Sequence, residues 1–231
     1  MGRAILTLLC LWSFIVTVTP LTDTQVFRAT EYIYSKFKLA GAKQHAYVAL
    51  FSQVECDSLS SNNNNLQILK NEDAKQITEA LKRDENIYQG SQLVLATFKR
   101  ETGYDIHSEY RLLDATSSNG ISPIQQLVNT NQNAACAIFY TLNSPCVGKC
   151  ANPDNARNII NKLSVFNKFN KAFVYSKLYV KDVRDKGKDD IWDGLTQVNG
   201  KMDVYRCSNS GCLKCFEKEQ NKLKNKDNCL K

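Results

Sequence analysis

The sequence predicts an α/β protein: a three-layer α/β/α sandwich around a mixed five-stranded sheet, with the fourth and fifth strands parallel. Three observations carry this. Short runs rich in β-branched and aromatic residues alternate with segments whose apolar residues recur at helical spacing. The two late strands, 171–180 and 201–207, are joined through a helical segment, and a parallel neighbour needs such a crossover. Past its first 20 residues the chain of 231 still holds about 210, enough for one domain with a sizeable core.

In chain order, Met1-Gly2-Arg3 is followed by an apolar run from Ala4 to Val18 and then Thr19-Pro20. A charged start, a short apolar stretch and a polar exit mark a cleaved secretory signal peptide. Residues 1–20 are therefore assigned to a leader, 21–206 to the domain and 207–231 to a Cys- and Lys-rich C-terminal tail. The apolar run is short for a bilayer span, and no later stretch approaches the roughly 20 apolar residues a span needs. The mature protein is expected to be secreted, extracellular and without a membrane segment.

The first helix is expected over 23–38, where Val26, Ala29, Ile33 and Phe37 follow an Asp or Thr cap. "HAYVALFSQVE" (45–55) and "SQLVLATFKR" (91–100) read as strands. Between them lie a polar Asn-rich loop and a charged segment with room for a short helix. "ETGYDI" reads as a loop into a helix at "HSEYRLLDA" (107–115), and "AACAIFYTL" (134–142) as a buried strand. A helical pattern follows, with Ala156, Ile159, Ile160 and Leu163 on one face. "KAFVYSKLYV" (171–180), a short helix at 189–198 and "KMDVYRC" (201–207) complete the order.

Of nine cysteines, Cys10 falls in the leader. The other eight are an even number, which in a secreted chain ordinarily means disulfides. Setting Cys146 and Cys150 aside for a metal leaves Cys56, Cys136, Cys207, Cys212, Cys215 and Cys229, still even. Cys56 and Cys136 pair with each other or with the tail; the pairing is not readable from sequence. A second zinc site in the tail is the competing reading, weakened because only one C-x-x-C is present. The net charge of +7 suits an acidic partner, although solubility alone would equally explain it.

His107 begins the 107–115 helix and Glu109 follows two residues later. A lone histidine there is ordinarily a cap or a surface residue. Cys146 and Cys150, after Pro145 at the end of a buried strand, change the weighing. Their spacing of one helical turn puts both sulfurs on one face near an expected helix N-terminus, where the dipole favours thiolate. One imidazole and two thiolates make three ligands of a tetrahedral zinc with the fourth position open. Disulfides and an ordinary acidic first turn would explain each half separately. They do not explain why H-x-E and P-C-x-x-x-C each follow a strand.

With these motifs in place, the chain resembles the AID/APOBEC-like branch of the zinc-dependent cytidine deaminase superfamily, whose signature is H-x-E followed by P-C-x-x-C. "HSEYRLLD" is similar to the family's H-A-E-L-x-x-L-D segment, and "TLNSPCVGKCA" to its T-S-W-S-P-C-x-x-C-A segment. "KLYV" with "DDIWDGLTQVNGKMDVYRC" is similar to the stretch that closes the family fold. Given the leader and extra cysteines, the match is with the secreted members, over roughly residues 24–206. The resemblance implies a cytidine deaminase-like fold, Zn2+ held by His107, Cys146 and Cys150, and Glu109 as the catalytic acid and base. It also implies a hydrolase converting cytosine to uracil in single-stranded DNA or RNA, with a defence role against viruses or microbes. His45, Asn143, Ser144 and Tyr179 are the implied substrate contacts, with the loop from Lys181 to Asp190 touching a flanking nucleotide.

Three departures bear on substrate. Asn143 stands where the family has Trp, Ser108 replaces Ala, and the cysteine spacing is one residue longer than the commonest form. In the 181–190 loop, cations and acids nearly cancel. Two alternatives therefore stand beside the polynucleotide reading: deamination of free cytidine or adenosine, and a non-catalytic secreted binding protein that keeps zinc for stability. Glu109 speaks against the last, because a structural site needs no proton shuttle.

Overall fold

A computed structural model describes residues 20–61, 66–83, 87–115, 120–219, 222–223 and 225–231. The proposed leader, apart from Pro20, and the Asn run at 62–65 lie outside the described residues. Thr22 caps α1 (Asp23–Lys36), exchanging bonds with Gln25 in a capping box. Ser52 does the same with Glu55, ending β1 (His45–Ser52) and opening α2 (Gln53–Ser58). The expected strand 45–55 thus stops three residues early. Within the charged segment, Asp73 caps α3 (Ala74–Lys82). Then come β2 (Ile87–Gln89) and β3 (Leu93–Thr97).

The expected strand 91–100 breaks after Thr97, and the expected loop beyond it is a hairpin. β4 (Lys99–Glu101) turns at Gly103, whose φ of +85° suits glycine, into β5 (Tyr104–Ile106). Next are α4 (Ser108–Leu113), α5 (Pro123–Thr130) and the long β6 (Ala134–Asn143). α5 was not foreseen, although Ser122 as cap and Pro123 in the first turn signal it. After it the chain forms β7 (Asn170–Lys177), α6 (Val180–Asp185), α7 (Lys188–Asn199), β8 (Asp203–Ser208), β9 (Gly211–Lys214) and α8 (Lys226–Cys229).

The expected helix after Pro145 is corrected. Residues 147–159 run through successive turns, and only a 3₁₀ helix forms, over Ile160–Phe166. Asparagine side chains take backbone groups that a helix would use: Asn152 accepts from the Asp154 N–H and Asn155 from the Arg157 N–H. The helix dipole expected from this segment is therefore absent at Cys146.

The sheet has seven strands, not five, in the order β2-β3-β1-β6-β7-β8-β9. The two extra strands lie at its edges. β2 has three residues, and β9 lies in the Lys- and Cys-rich tail, so neither shows a readable alternation. Strands pair antiparallel except β6 with β7 and β7 with β8, which are parallel. In this numbering β4 and β5 are an antiparallel hairpin outside the main sheet; the parallel late pair is β7 and β8.

Both faces of the sheet are covered. Along β1, Ala46, Val48 and Leu50 join Leu112, Ile124, Leu163, Trp192 and Leu195 in one core. Tyr47, Ala49 and Phe51 join Val26, Ile33, Ile77 and Leu81 in the other. Strand alternation sends successive residues to opposite layers, which is why these strands read as unbroken apolar runs.

Among the described residues no helix is long and apolar enough to cross a membrane. Disulfides join Cys56 to Cys136, Cys207 to Cys212 and Cys215 to Cys229. That disposes of a second metal site among the tail cysteines. The tail is built into the fold: β9 extends the sheet, and Cys215, Cys229 and Leu230 are buried in the first core.

Candidate active site

His107 stands at the N-cap of α4 but makes no capping bond with its side chain. Its ring turns instead toward the end of β6. Nδ1 lies 3.4 Å from Cys146 Sγ and 3.3 Å from Cys150 Sγ. The three donor atoms fall within 4.8 Å of one another. Both thiols are buried, and the Cys150 N–H donates to Cys146 Sγ at 3.4 Å. Tetrahedral zinc with ordinary bond lengths would hold a nitrogen and a sulfur about 3.6 Å apart, so both nitrogen–sulfur pairs fit the ion within a few tenths of an ångström.

The electrostatics suit that ligand set. The hydrogen bond with Cys150 pulls the Cys146 thiol well down against burial, and the bond to His107 adds to the effect. Cys150, bonded to Cys146 and buried, is pushed up. Burial works to lower the His107 pKa, but the bond to Cys146 and the charge of Glu109 outweigh it. A soft thiolate beside an imidazole is a donor set that zinc accepts.

The turn bearing the cysteines is held from three sides. The Ser144 N–H donates to the Lys177 carbonyl at 2.7 Å, and the Ser144 hydroxyl accepts from the Tyr179 N–H at 3.0 Å. The Asp182 carboxylate, on α6, accepts from the Val147 N–H at 2.8 Å. On α7, Gly194 leaves room for the turn: a Cβ there would lie 3.1 Å from the Ala151 Cβ.

Glu109 is buried beside the trio, and burial raises its carboxyl pKa. Its Oε1 accepts from the Thr141 hydroxyl at 2.8 Å and its Oε2 from the Ser108 hydroxyl at 3.1 Å. A carboxyl with a raised pKa holds a proton more readily than a free one, which suits a group that must both accept and return it.

Of the residues named as substrate contacts, Asn143 and Ser144 lie at the end of β6 and Tyr179 caps α6, its ring 5.7 Å from that of His107. Ser144 is buried, with its hydroxyl engaged in the scaffold. His45 lies apart from this cluster. Its ring stacks on Tyr140 in the opposite core, and its Nδ1 lies 2.8 Å from the Lys43 carbonyl. It is the first residue of β1, and alternation turns it away from the face that carries Glu109. The expected loop at 181–190 is taken up largely by α6 and the start of α7, with Val180 and Val183 of α6 exposed.

Sequence reasoning gave no role to Thr141 or Gly194 and counted Asp182 only as a charge in the 181–190 loop. For Thr141 a signal existed: a polar residue in an apolar strand, on the same face as Phe139. The support that Asp182 and Gly194 give to the turn has no local signal, because their partners Val147 and Ala151 come from a distant segment.

Fold and site together define a class: an α/β protein with a His-Cys-Cys cluster suited to a metal and a buried carboxylate beside it. Within that class the family is shown. Residues 26–229 match the family model described as Secreted Novel AID/APOBEC-like Deaminase 2, and the chain belongs to that family. The match runs through the tail as far as Cys229. No curated protein and no solved structure matches the chain.

Proposed function

We propose that the protein is a secreted zinc-dependent deaminase that converts cytosine to uracil in single-stranded DNA or RNA outside the cell. The observation that carries this reading is a buried carboxylate, Glu109, beside the convergent donors of His107, Cys146 and Cys150. Bound by these three residues, zinc would supply a Lewis acid that activates water at neutral pH. Glu109 would take the proton from the attacking water and deliver protons to the ring nitrogen and the departing ammonia. Thr141 and Ser108 hold its two oxygens while it does so. Secretion agrees with the family's description, with three disulfides and with the leader-like residues 1–20. A role in antiviral or antimicrobial defence is part of the same proposal.

A second reading, deamination of free cytidine or adenosine, is favoured by the rim. Arg184 pairs with Asp185 at 2.6 Å and Lys226 with Asp189 at 2.9 Å, so these cations are already neutralised. Asn143 offers no aromatic face for stacking a base.

The test is deamination by the purified zinc-loaded protein on cytosine-containing single-stranded DNA, single-stranded RNA, free cytidine and free adenosine, beside Glu109→Gln. Product formed by the parent alone supports catalysis at this site, and the preferred substrate chooses between the readings. Stoichiometric zinc with no conversion of any substrate would leave a non-catalytic binding protein in their place.

A further inference from the structure

We propose that Gln44 and Thr141 form a directed hydrogen-bond relay that positions Glu109, an inference that rests on the deaminase reading above. The Thr141 hydroxyl has one proton and two acceptors in reach: Glu109 Oε1 at 2.8 Å and the Asn143 carbonyl at 3.1 Å. The carboxylate is both nearer and the stronger acceptor, so the proton goes to Glu109. The hydroxyl oxygen is then left to accept, and Gln44 Nε2 donates to it at 3.2 Å. This ordering fixes the Gln44 amide. Reversed, its oxygen would face a hydroxyl whose only proton is already committed. In the fixed orientation Gln44 Oε1 is buried with no partner among the described residues.

The chain therefore runs one way, from the Gln44 amide through Thr141 to Oε1 of Glu109. Ser108 holds Oε2, but it is the neighbour of Glu109 on α4 and moves with it. Thr141 is fixed in the centre of the sheet, paired with Ala46 of β1 and Tyr175 of β7. It is the side chain through which the sheet sets the direction of the carboxylate relative to the cysteines at the end of β6. Proton transfer requires the carboxylate oxygen within hydrogen-bond reach of the reacting group, and small misplacements lower turnover more than binding.

The test compares Thr141→Val, which keeps shape and removes the hydroxyl, with Thr141→Ser, which restores it. For Thr141→Val we expect kcat to fall about 10- to 100-fold with KM and zinc content within about twofold of the parent. Thr141→Ser should recover kcat to within about threefold. Binding gives a readout independent of turnover. A substrate analogue with 2-pyrimidinone in place of cytosine adds water to resemble the tetrahedral adduct, so Thr141→Val should weaken its Kd by the same factor as kcat/KM. Affinity for the uracil product should not change. A parent-like kcat in Thr141→Val, equal losses in Val and Ser, or a loss confined to KM overturns the relay. If Thr141→Val does not fold, Gln44→Met decides: a severalfold lower kcat with zinc retained supports the relay, and an unchanged kcat overturns it. A parent protein inactive on every substrate overturns the proposed function and this inference together. An active parent with an indifferent Thr141 overturns only the inference.

Discussion

The Asp182 carboxylate accepts a hydrogen bond from the Val147 N–H at 2.8 Å, joining α6 to the turn that starts at Cys146. Asp182 is buried, and burial raises its carboxyl pKa while the bond from Val147 holds it down. Residues that orient metal ligands from behind typically contribute 10- to 100-fold in affinity, so we expect Asp182→Ala to weaken zinc binding by about 10-fold. Asp182→Asn keeps an acceptor oxygen and should stay close to the parent. Chelator competition measures both, and an Ala variant with parental affinity would remove Asp182 from the support of the site.

For Glu109→Gln we expect full zinc occupancy with turnover lowered by about 10²- to 10⁴-fold, the usual worth of a positioned acid and base. His107→Ala, Cys146→Ser and Cys150→Ser should each lose zinc instead. Metal analysis beside the deamination assay separates the two groups. Loss of zinc in Glu109→Gln would make the carboxylate a part of the metal cluster.

The pH dependence of zinc binding follows from the ligands. Cys150 and His107 both have raised pKa values, so their protons compete with the metal as pH falls. The lowered Cys146 is already a thiolate near neutrality and adds no slope there. Zinc affinity should therefore rise with pH from mildly acidic conditions through neutrality, as read by chelator competition at several pH values. An affinity independent of pH would contradict the ligand assignment.

Gly194→Leu tests the packing of α7 on the cysteine turn. Even a Cβ at this position lies 3.1 Å from Ala151, so a full side chain must displace the turn. We expect a loss of about 1–3 kcal/mol in urea unfolding, the usual cost of overpacking, together with weaker zinc binding. Unchanged stability and affinity would show that the turn yields freely.

The Cys56–Cys136 disulfide ties α2 to the central strand β6 across a separation of 80 residues. Closing a loop of that length is worth roughly 4.5 kcal/mol in the chain-entropy account. Replacing both cysteines with alanine should cost most of that in denaturant unfolding. A loss below about 1 kcal/mol would mean that the closed loop is already ordered in the unfolded chain.

The cluster of His107, Cys146 and Cys150 and its acidic neighbour were legible because their information is local. H-x-E and P-C-x-x-x-C are short spacings, each placed after a strand that its own composition declares. The long strands at 134–142 and 171–180 were legible for the same reason, since apolar runs bounded by turn residues need no partner to be read. His45 and Thr141 mark where that reading ends. Both are polar residues in buried strands, and a strand presents alternate residues to opposite layers. Which layer holds Glu109 depends on the register of β1 against β6 and on the side from which α4 packs. The edge strands β2 and β9, the displaced helix after Pro145 and the bond from Val147 to Asp182 have the same origin. Each depends on groups far apart in the chain, brought together only when the sheet closes its two cores. The sequence by itself determined the donors and the kind of chemistry they support; the tertiary structure decided which side chains aim them, because direction in a folded chain is set by packing between distant elements.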